Sequence, residues 1–465
     1  MRTTHFDRHK PGRMTNGRGG QTAARTASHQ MKKGFYTIMA AQFFSSLADN
    51  ALLIAAIALL KDLHAPNWMT PLLKLFFVLS YVVLAAFVGA FADSRPKGRV
   101  MFITNTIKVV GCITMLVGAH PLIAYGIVGF GAAAYSPAKY GILTELLPPD
   151  RLVAANGWIE GTTVGSIILG TVLGGALISP HIAAPILKWH VPTVNTPAEA
   201  AMLVIMAIYV IAALFNLRIP DTGARYPRQE HGPIRLITDF ADCFLVLWRD
   251  KLGQISLAVT TLFWGAGATL QFIVLKWAEV SLGMSLSEAA ILQAVVAVGV
   301  AFGAIFAASR VPLKKSLSVL PVGIMMGISV MLMAFYTRDL FPPHWGVYFG
   351  RMHVSGYLIF AYIFLMFVGG LSGFFVVPMN ALLQHRGHVL LSAGHSIAVQ
   401  NFNENLSVLV MLCLYAVLVW LDVPVTVVIV LFGTFVCLMM WLVMRRHQAN
   451  QRAFDSVALI GEAKH

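Results

Sequence analysis

Ionisable side chains inside long apolar stretches are the residues of this sequence that could carry chemistry. Asp49 and Asn50 end the segment Ser45-Ser-Leu-Ala-Asp-Asn50, near the middle of an apolar run over 36–60. A carboxylate at the centre of a bilayer costs about 2.5–3.5 kcal/mol even on lenient scales. We therefore expect the Asp49 carboxylate to have a partner that compensates its charge. The partner is either a group on another helix, in a structural ion pair, or a cation, a proton or an ammonium head group.

Lys139 is the second such residue, within the stretch Gly131-Ala-Ala-Ala-Tyr-Ser-Pro-Ala-Lys-Tyr-Gly-Ile-Leu-Thr-Glu145. It lies near the end of its apolar run, where a lysine can snorkel to the membrane surface. Alternatively, Lys139 binds a phosphate as a point charge, and Tyr135, one turn earlier, lies on the same face. Both interpretations stay open from the residues alone.

Polar pairs on later apolar runs extend the pattern. Glu160 shares a helix face with Asn156, and Glu404 shares one with Gln400, because each pair is four residues apart. Amide side chains also hold membrane helices together, so the amides have a structural interpretation as well. For the two glutamates we favour a place on a polar pathway, since ionisable groups at this depth usually mark one.

Composition limits the class of protein. The chain has 465 residues, of which 57% are hydrophobic and only 12% charged, half the fraction of a soluble domain. The net charge of +14 comes from basic loops and tails, which indicates membrane topology and no nucleic-acid partner. Four cysteines show no paired spacing, so we expect no disulfide and no metal site. ATP-binding, metalloprotease and serine-hydrolase motifs are absent, so we expect neither catalytic residues nor a cofactor.

Twelve apolar runs are long enough to span a bilayer. They lie at 36–60, 70–92, 99–118, 121–145, 153–179, 199–217, 253–276, 287–308, 316–336, 356–379, 392–420 and 423–444. An even number puts both termini on one side. The loops on the opposite side carry few basic residues, namely Lys61, Lys188, Arg338 and Arg351. The positive-inside rule therefore predicts that both termini are cytoplasmic.

The longest internal loop divides the chain into two six-helix halves. We expect a disordered basic cytoplasmic tail, a first bundle, a cytoplasmic linker loop, a second bundle and a second cytoplasmic tail, at 1–33, 34–217, 218–252, 253–446 and 447–465. The halves resemble each other, since Gly89-Ala-Phe-Ala-Asp-Ser-Arg-Pro-Lys-Gly-Arg99 recurs in kind at Gly303-Ala-Ile-Phe-Ala-Ala-Ser-Arg-Val-Pro-Leu-Lys-Lys315. Such a repeat is the pattern of the major facilitator fold, an all-α membrane architecture. The first loop resembles that superfamily's gating loop, with Gly89, Asp93, Arg95 and Arg99 at its characteristic positions.

Several longer stretches resemble the bacterial lysophospholipid transporter family in order along the chain, from about Gly34 to Arg446. They are Ala41-Gln-Phe, Asp49-Asn-Ala-Leu-Leu, Gly131 to Leu143, Phe263-Trp-Gly-Ala-Gly, Gly373-Phe-Phe-Val-Val-Pro and Ala398-Val-Gln-Asn with Glu404-Asn. The resemblance implies an inner-membrane protein of Gram-negative bacteria. It also implies transport of lysophospholipids from the outer to the inner leaflet, where a partner acyltransferase re-acylates them.

The resemblance also implies cavity charges needed for transport at Asp49 and Lys139. A third charge of the family, an arginine on the seventh helix, is replaced here by Gln271. Lys276, five residues further on, lies about 140° away around a helix, so it does not automatically take the place of that arginine. With Trp277 it instead predicts an anchor at the membrane interface. Because a charged residue of the family is replaced by the neutral Gln271, the preference for a particular lipid head group can differ in this chain.

We interpret the chain as a lipid flippase that works by alternating access. Lys139 would meet the phosphate, Asp49 an ammonium group or a coupling cation, and Glu160 and Glu404 would help to gate the path. A proton-coupled exporter of drugs or small solutes is the alternative, with Asp49 and Glu160 as proton carriers. A non-transporting lipid sensor or scaffold is a second alternative.

Overall fold

The fold comes from a computed structural model, which describes residues 18–93, 95–146, 149–223, 232–342, 345–349, 352–391, 393–453, 455 and 460. In the first half the helices are α1 Arg18–Asp62, α2 Met69–Val83, α3 Val88–Asp93, α4 Lys97–Leu116, α5 Pro121–Leu146, α6 Pro149–Leu177, α7 Pro180–Leu187 and α8 Pro197–Leu217. In the second they are α9 Pro233–Arg249, α10 Gly253–Leu282, α11 Leu286–Arg310, α12 Leu320–Met333, α13 Gly356–Leu390, α14 Ala393–Trp420 and α15 Val425–Ala453. Short 3₁₀ turns lie at Leu313–Val319 and Arg338–Leu340.

Each predicted span overlaps at least one helix of the structure, although several boundaries differ. Within the described residues, nine helices are long and apolar enough to cross a membrane, or ten if Gly161–Leu177 and Pro180–Leu187, bent by 65°, form one span. The second predicted span is broken into α2 and α3 by a turn at residues 84–87, which contain neither glycine nor proline. The tenth span contains Pro378 just before its predicted end at residue 379, and its helix continues to Leu390, because a membrane helix tolerates an internal proline when neighbours satisfy the freed carbonyl.

Three connecting segments differ from expectation. The backbone is helical from Arg18, inside the tail that we expected to be disordered, because a helix nucleated in the membrane extends cheaply into flanking residues. The expected linker loop contains α9, a helix with apolar residues three and four apart. Between α12 and α13 the chain forms an antiparallel hairpin of β1 Gly346–Phe349 and β2 Met352–Ser355, a small departure from an all-α chain.

Local sequence signals set several helix ends. Thr196 and Glu199 form a reciprocal capping box at the start of α8, and Ser285 and Glu288 form one at the start of α11. Gly283 ends α10 in the left-handed region, at φ 67°, which a residue without a Cβ adopts at no steric cost. These ends position the helices that carry the polar residues.

The two halves repeat the same set of helix contacts. In the first half α1 packs on α6 and α8, α5 on α2 and α4, and α4 on α8. The corresponding contacts in the second half are those of α10 with α14 and α15, α13 with α11 and α12, and α12 with α15. The halves meet through α2 against α14 and α6 against α11, which are themselves equivalent pairs. The predicted twofold repeat of the major facilitator fold is therefore confirmed.

The apolar core differs between the two ends of the bundle. We call the end with Gly34 and Gly253 the proximal end, and the end with Asp62 and Leu282 the distal end. At the distal end one cluster of buried side chains joins both halves, for example Leu60 with Trp277. At the proximal end the described buried side chains form separate clusters, one around Ile142 in the first half and two in the second. The halves are thus joined distally and have separate cores proximally.

Glycines bring α11 and α13 into backbone contact. A Cβ at Gly299 would overlap the Met366 carbonyl, one at Gly303 the Gly370 carbonyl, and one at Gly373 the Val300 carbonyl. Small residues of this kind let membrane helices approach closely. The pair is therefore a tightly joined unit of the second half.

We expect Gly303→Ala to destabilise the protein, because the added methyl has no space between α11 and α13. Overpacking of this kind typically costs about 1–3 kcal/mol. The measurement is the fraction of monodisperse protein that remains after heating in detergent. Gly165→Ala is the control, since a Cβ at Gly165 meets open space. Equal thermal stability of the two variants would contradict the packing argument.

Candidate functional site

Asp49 lies near the middle of the span Gly34–Asp62, at a junction of three helices. Lys108 of α4 donates from Nζ to both carboxylate oxygens, at 2.9 Å from Oδ1 and 2.8 Å from Oδ2. The hydroxyl of Tyr209 on α8 donates to Oδ1 at 2.7 Å, and that of Tyr125 donates to the Asp49 carbonyl at 3.3 Å. Lys108 is 1% exposed, whereas the Asp49 side chain is 20% exposed. One edge of the carboxylate thus stays open.

A polar network extends from this ion pair. Lys108 Nζ also donates to Ser45 Oγ at 3.0 Å, and Ser45 donates to Asn105 Oδ1 at 2.7 Å. The ammonium group lies 5.3 Å and 5.6 Å from the ring centroids of Tyr135 and Tyr209, within cation–π range. Within the described chain, the Tyr135 hydroxyl and Asn105 Nδ2 are buried with no hydrogen-bond partner.

The interhelical ion pair that we had kept open for Asp49 is therefore present. Its partner, Lys108, was not among the predicted site residues, although its place inside the third predicted span was a signal for it. The ring of Tyr135 belongs to this network. Breaking such a pair by removing one partner is costly, because the other charge stays buried.

Lys139 lies two turns from the end of α5 and is half-buried. Its Nζ lies 4.3 Å from the ring centroid of Tyr140, the following residue. The lysine thus has an aromatic neighbour and access to solvent or lipid head groups. This arrangement is compatible with both interpretations of Lys139, a surface-seeking lysine and a phosphate ligand.

The predicted gating loop between α3 and α4 has a buried cation that we did not select. Arg95 and Arg99 are exposed, and Lys97 between them is 5% exposed. Lys97 Nζ donates to the Ala92 carbonyl at 3.0 Å and lies 3.9 Å from Glu145 Oε1. Because Lys97 begins α4, its side chain turns towards α5 while its neighbours face outwards.

Of the other predicted loop residues, Gly89 lies within α3 and Asp93 ends that helix. The Asp93 side chain lies outside the described part of the structure. The same holds for the side chains of Glu160 and Asn156 on α6. Asn50 donates to the Ser46 carbonyl of its own helix at 2.8 Å. Asn50 is thus placed beside Asp49 without joining its network.

The polar residues of α14 form a second cluster. Gln400 Nε2 donates to Glu404 Oε1 at 2.7 Å and to Asn380 Oδ1 on α13 at 3.2 Å. Glu404 is 8% exposed. The expected common face of Gln400 and Glu404 is realised, and it places a carboxylate in the second half. Asn403, next to it, accepts from Trp248 Nε1 of α9 at 3.2 Å.

On α10, Gln271 accepts a hydrogen bond from Gln293 at its backbone carbonyl, and its side chain is half-buried. Lys276 lies 3.5 Å from Glu279, three residues further along α10 at the distal end. Glu279 also lies 3.6 Å from Lys61 of α1, which links the two halves. Trp277 is fully buried and donates to the Tyr336 carbonyl at 3.2 Å, so the prediction of an interfacial anchor is wrong for this residue.

Metal chemistry finds no support in the described part of the chain, which contains no group of three His, Cys, Asp or Glu side chains that could hold an ion. The described geometry places Lys139 over the ring of Tyr140, Glu404 beside Gln400, and Asp49 in an ion pair with Lys108.

Comparisons with known proteins show which family the chain belongs to. Residues 38–408 match the sequence profile of the Major Facilitator Superfamily. The lysophospholipid transporter LplT of Yersinia enterocolitica is 41% identical over 396 residues, which cover 85% of this chain and 89% of that protein. The protein of the same name from Serratia proteamaculans is 40% identical over 395 residues, covering 85% and 90%.

Solved structures show a similar architecture. A mutant of the nucleoside transporter NupG superposes with a TM-score of 0.65 at 12% identity, over 89% of this chain and 99% of that one. A bacterial homologue of the human lysosomal transporter Spinster, inward-facing and unoccupied, has a TM-score of 0.64 at 16% identity, over 90% and 98%. At these identities the likeness concerns the fold.

We expect Lys108→Met to destabilise the protein by about 3–5 kcal/mol, because Asp49 is left as an unpaired charge. Adding Asp49→Asn removes that charge, so the double variant should recover most of the loss. The measurement is a double-mutant cycle of thermal stability in detergent. Additive losses in the double variant would mean that the two side chains do not act as a pair.

Proposed function

Because the chain belongs to the lysophospholipid transporter family of the major facilitator superfamily, we propose that it moves lysophospholipids across a bacterial inner membrane by alternating access. The observation that carries this proposal is the identity of 41% over nearly the whole length of a protein named for that transport. We further propose transport from the outer to the inner leaflet, with lysophosphatidylethanolamine among the substrates. A lysolipid acyltransferase would then restore the second acyl chain, and this chain itself carries out no catalytic step.

Charge placement supports a zwitterionic head group as the cargo. Lys139 in the first half would meet the phosphate as a point charge. Glu404 in the second half, beside Gln400, would meet the ammonium group. Asp49 is already neutralised by Lys108, so we assign it to keeping the cavity wall polar, with its open edge next to the passing head group. Glu160 remains a proposed gating residue.

The difference between the two ends supports alternating access. The shared distal core closes one end, and Ser287 Oγ of α11 donates to the Gly175 carbonyl of α6 across the halves at 2.8 Å. The separate proximal cores leave the other end as the open side. Since the distal loops carry few basic residues, we propose that the proximal end, with both termini, is cytoplasmic.

Uptake of labelled lysophosphatidylethanolamine into proteoliposomes tests the proposal, with and without sodium and proton gradients. We expect protein-dependent transfer. Lys139→Ala should reduce it about tenfold or more, because a hydrogen bond to a charged group contributes about 1.5–3 kcal/mol. Lys139→Arg should keep most of the activity, and Lys188→Ala is the exposed-lysine control.

Absence of transfer under every gradient, with a folded protein, would overturn the lipid assignment. Transport that lysolipids do not block, but that small solutes compete for, would identify a solute exporter instead. Full activity of Lys139→Ala would remove Lys139 from the proposed phosphate site.

Loss of the distal ion pair should favour opening at that end. Lys61 and Glu279 are 42% and 45% exposed, so their pair contributes about 0.2–1 kcal/mol. We expect Glu279→Gln to shift the balance by roughly two- to fivefold, and high salt to shift the unmodified protein likewise. Fluorescence energy transfer between labels at the exposed positions Trp189 and Phe335 reports distal opening. Asp339→Asn is the control, and an unchanged distance distribution in Glu279→Gln would count against this gate.

A further inference from the structure

The linker helix α9, Pro233–Arg249, carries an exposed apolar strip that neither the bundle nor the transport path explains. We propose that α9 lies in the proximal membrane interface and places this strip against lipid acyl chains. The strip is formed by Ile234, Ile237, Ala241 and Leu245, which recur every three or four residues and so share one side of the helix. Ile234 is 78% exposed, Ile237 50% and Leu245 43%.

A different side of α9 is docked on the second half. Leu247 is fully buried in a cluster with Leu257 of α10, Leu383 of α13 and Val399 of α14. The rings of Phe240 and Phe244 meet Phe402 edge-on, at centroid distances of 5.3 Å and 6.2 Å. These contacts fix the rotation of α9, so the exposed strip has a defined direction.

The docking contacts also define the depth of α9. Leu257 lies four residues into α10, about 6 Å along the helix at ~1.5 Å per residue. Phe402 lies six residues beyond Ser396, where the span in α14 begins, or about 9 Å. Interfacial amphipathic helices bury their apolar face about 5–10 Å into the boundary between head groups and acyl chains. With the starts of these two spans taken as the boundary of the acyl region, α9 lies within that range of depth.

The C-terminal end of α9 is held at this level. Asp250 follows the helix directly, and its Oδ2 accepts from the backbone nitrogen of Gly253 at 2.7 Å, capping α10. Arg386 of α13 adds a bidentate contact to the same carboxylate, at 2.7 Å and 3.1 Å. Movement of α9 away from the bundle into water would therefore break the buried ion pair between Asp250 and Arg386.

The remaining side of α9 is mostly polar and exposed, with Arg235, Asp239, Asp242 and Arg249 beside Val246, and with Thr238 at the border of the strip. It carries two acidic and two basic side chains, so it does not select an anionic surface by net charge. An apolar strip between a docked face and a polar face fits the acyl boundary of a bilayer, with the polar face towards water. Acyl chains, rather than head-group charge, are thus the expected partner.

The test attaches an environment-sensitive fluorophore to single cysteines after replacement of Cys112, Cys243, Cys413 and Cys437, which are all free thiols. The strip variants are Ile237→Cys and Leu245→Cys. The matched controls on the polar face are Asp239→Cys and Asp242→Cys. The full-length protein is reconstituted into liposomes of zwitterionic lipid that contain an acyl-chain nitroxide quencher.

We expect quenching of the strip fluorophores and not of the polar-face fluorophores. Before labelling, the strip cysteines should react about tenfold more slowly than the controls with a charged thiol reagent, because the acyl boundary excludes it. Raising the salt concentration should leave both results unchanged. Strip cysteines that react as fast as the controls would overturn the proposal. So would strip cysteines protected without nitroxide quenching, since a protein surface would then cover them.

A second variant tests the strip as a unit. Ile237→Asp should abolish quenching of the fluorophore at Leu245→Cys, whereas Arg235→Asp on the polar face should not. Equal quenching in the two backgrounds would contradict the proposal. The readout needs no transport substrate, so its failure is distinguishable from failure of the proposed function.

Discussion

The ion pair between Asp49 and Lys108 is the interaction on which the first half of the protein depends. Each charge would cost several kcal/mol if it were buried alone in a membrane domain. Together with Tyr209 they join α1, α4 and α8, which all belong to the same half. Rocking of one half against the other leaves this pair intact. The Asp49–Lys108 ion pair thus stabilises one half as a rigid unit, and it does not oppose the motion of that half against the other.

Contacts between the halves are of a different kind. Among the described residues at the distal end they combine an apolar core with one exposed ion pair and one hydrogen bond to a backbone carbonyl. Exposed pairs contribute little each, and apolar surface can separate without leaving a charge unpaired. An equilibrium between two arrangements then responds to small differences in binding free energy, which a transported head group can supply. The backbone contact between α11 and α13 keeps the second half rigid during the same motion.

The sequence predicts the elements of this fold well and their pairing poorly. Run length and hydropathy are properties of single segments, so the spans and the depth of Asp49 and Lys139 could be predicted. The partner of Asp49 could not, because no local pattern relates α1 to α4. The break between Val83 and Val88 contains no glycine or proline, so the sequence has no local signal that predicts it. Lys97 was overlooked beside Arg95 and Arg99, since only the start of α4 decides which of three neighbouring cations turns inwards.

In the proposed function the charges of the two halves complement each other. The first half neutralises Asp49 internally and carries Lys139, while the second half carries Glu404 beside Gln400. A lysolipid head group with a phosphate and an ammonium group reproduces this pairing in a single molecule. Its charges would be compensated at each step by side chains of opposite sign, which lowers the cost of crossing an apolar medium. In the proposed function the phosphate meets Lys139, and Gln271 on α10 is neutral, so the head-group selectivity of this chain should depend on that lysine.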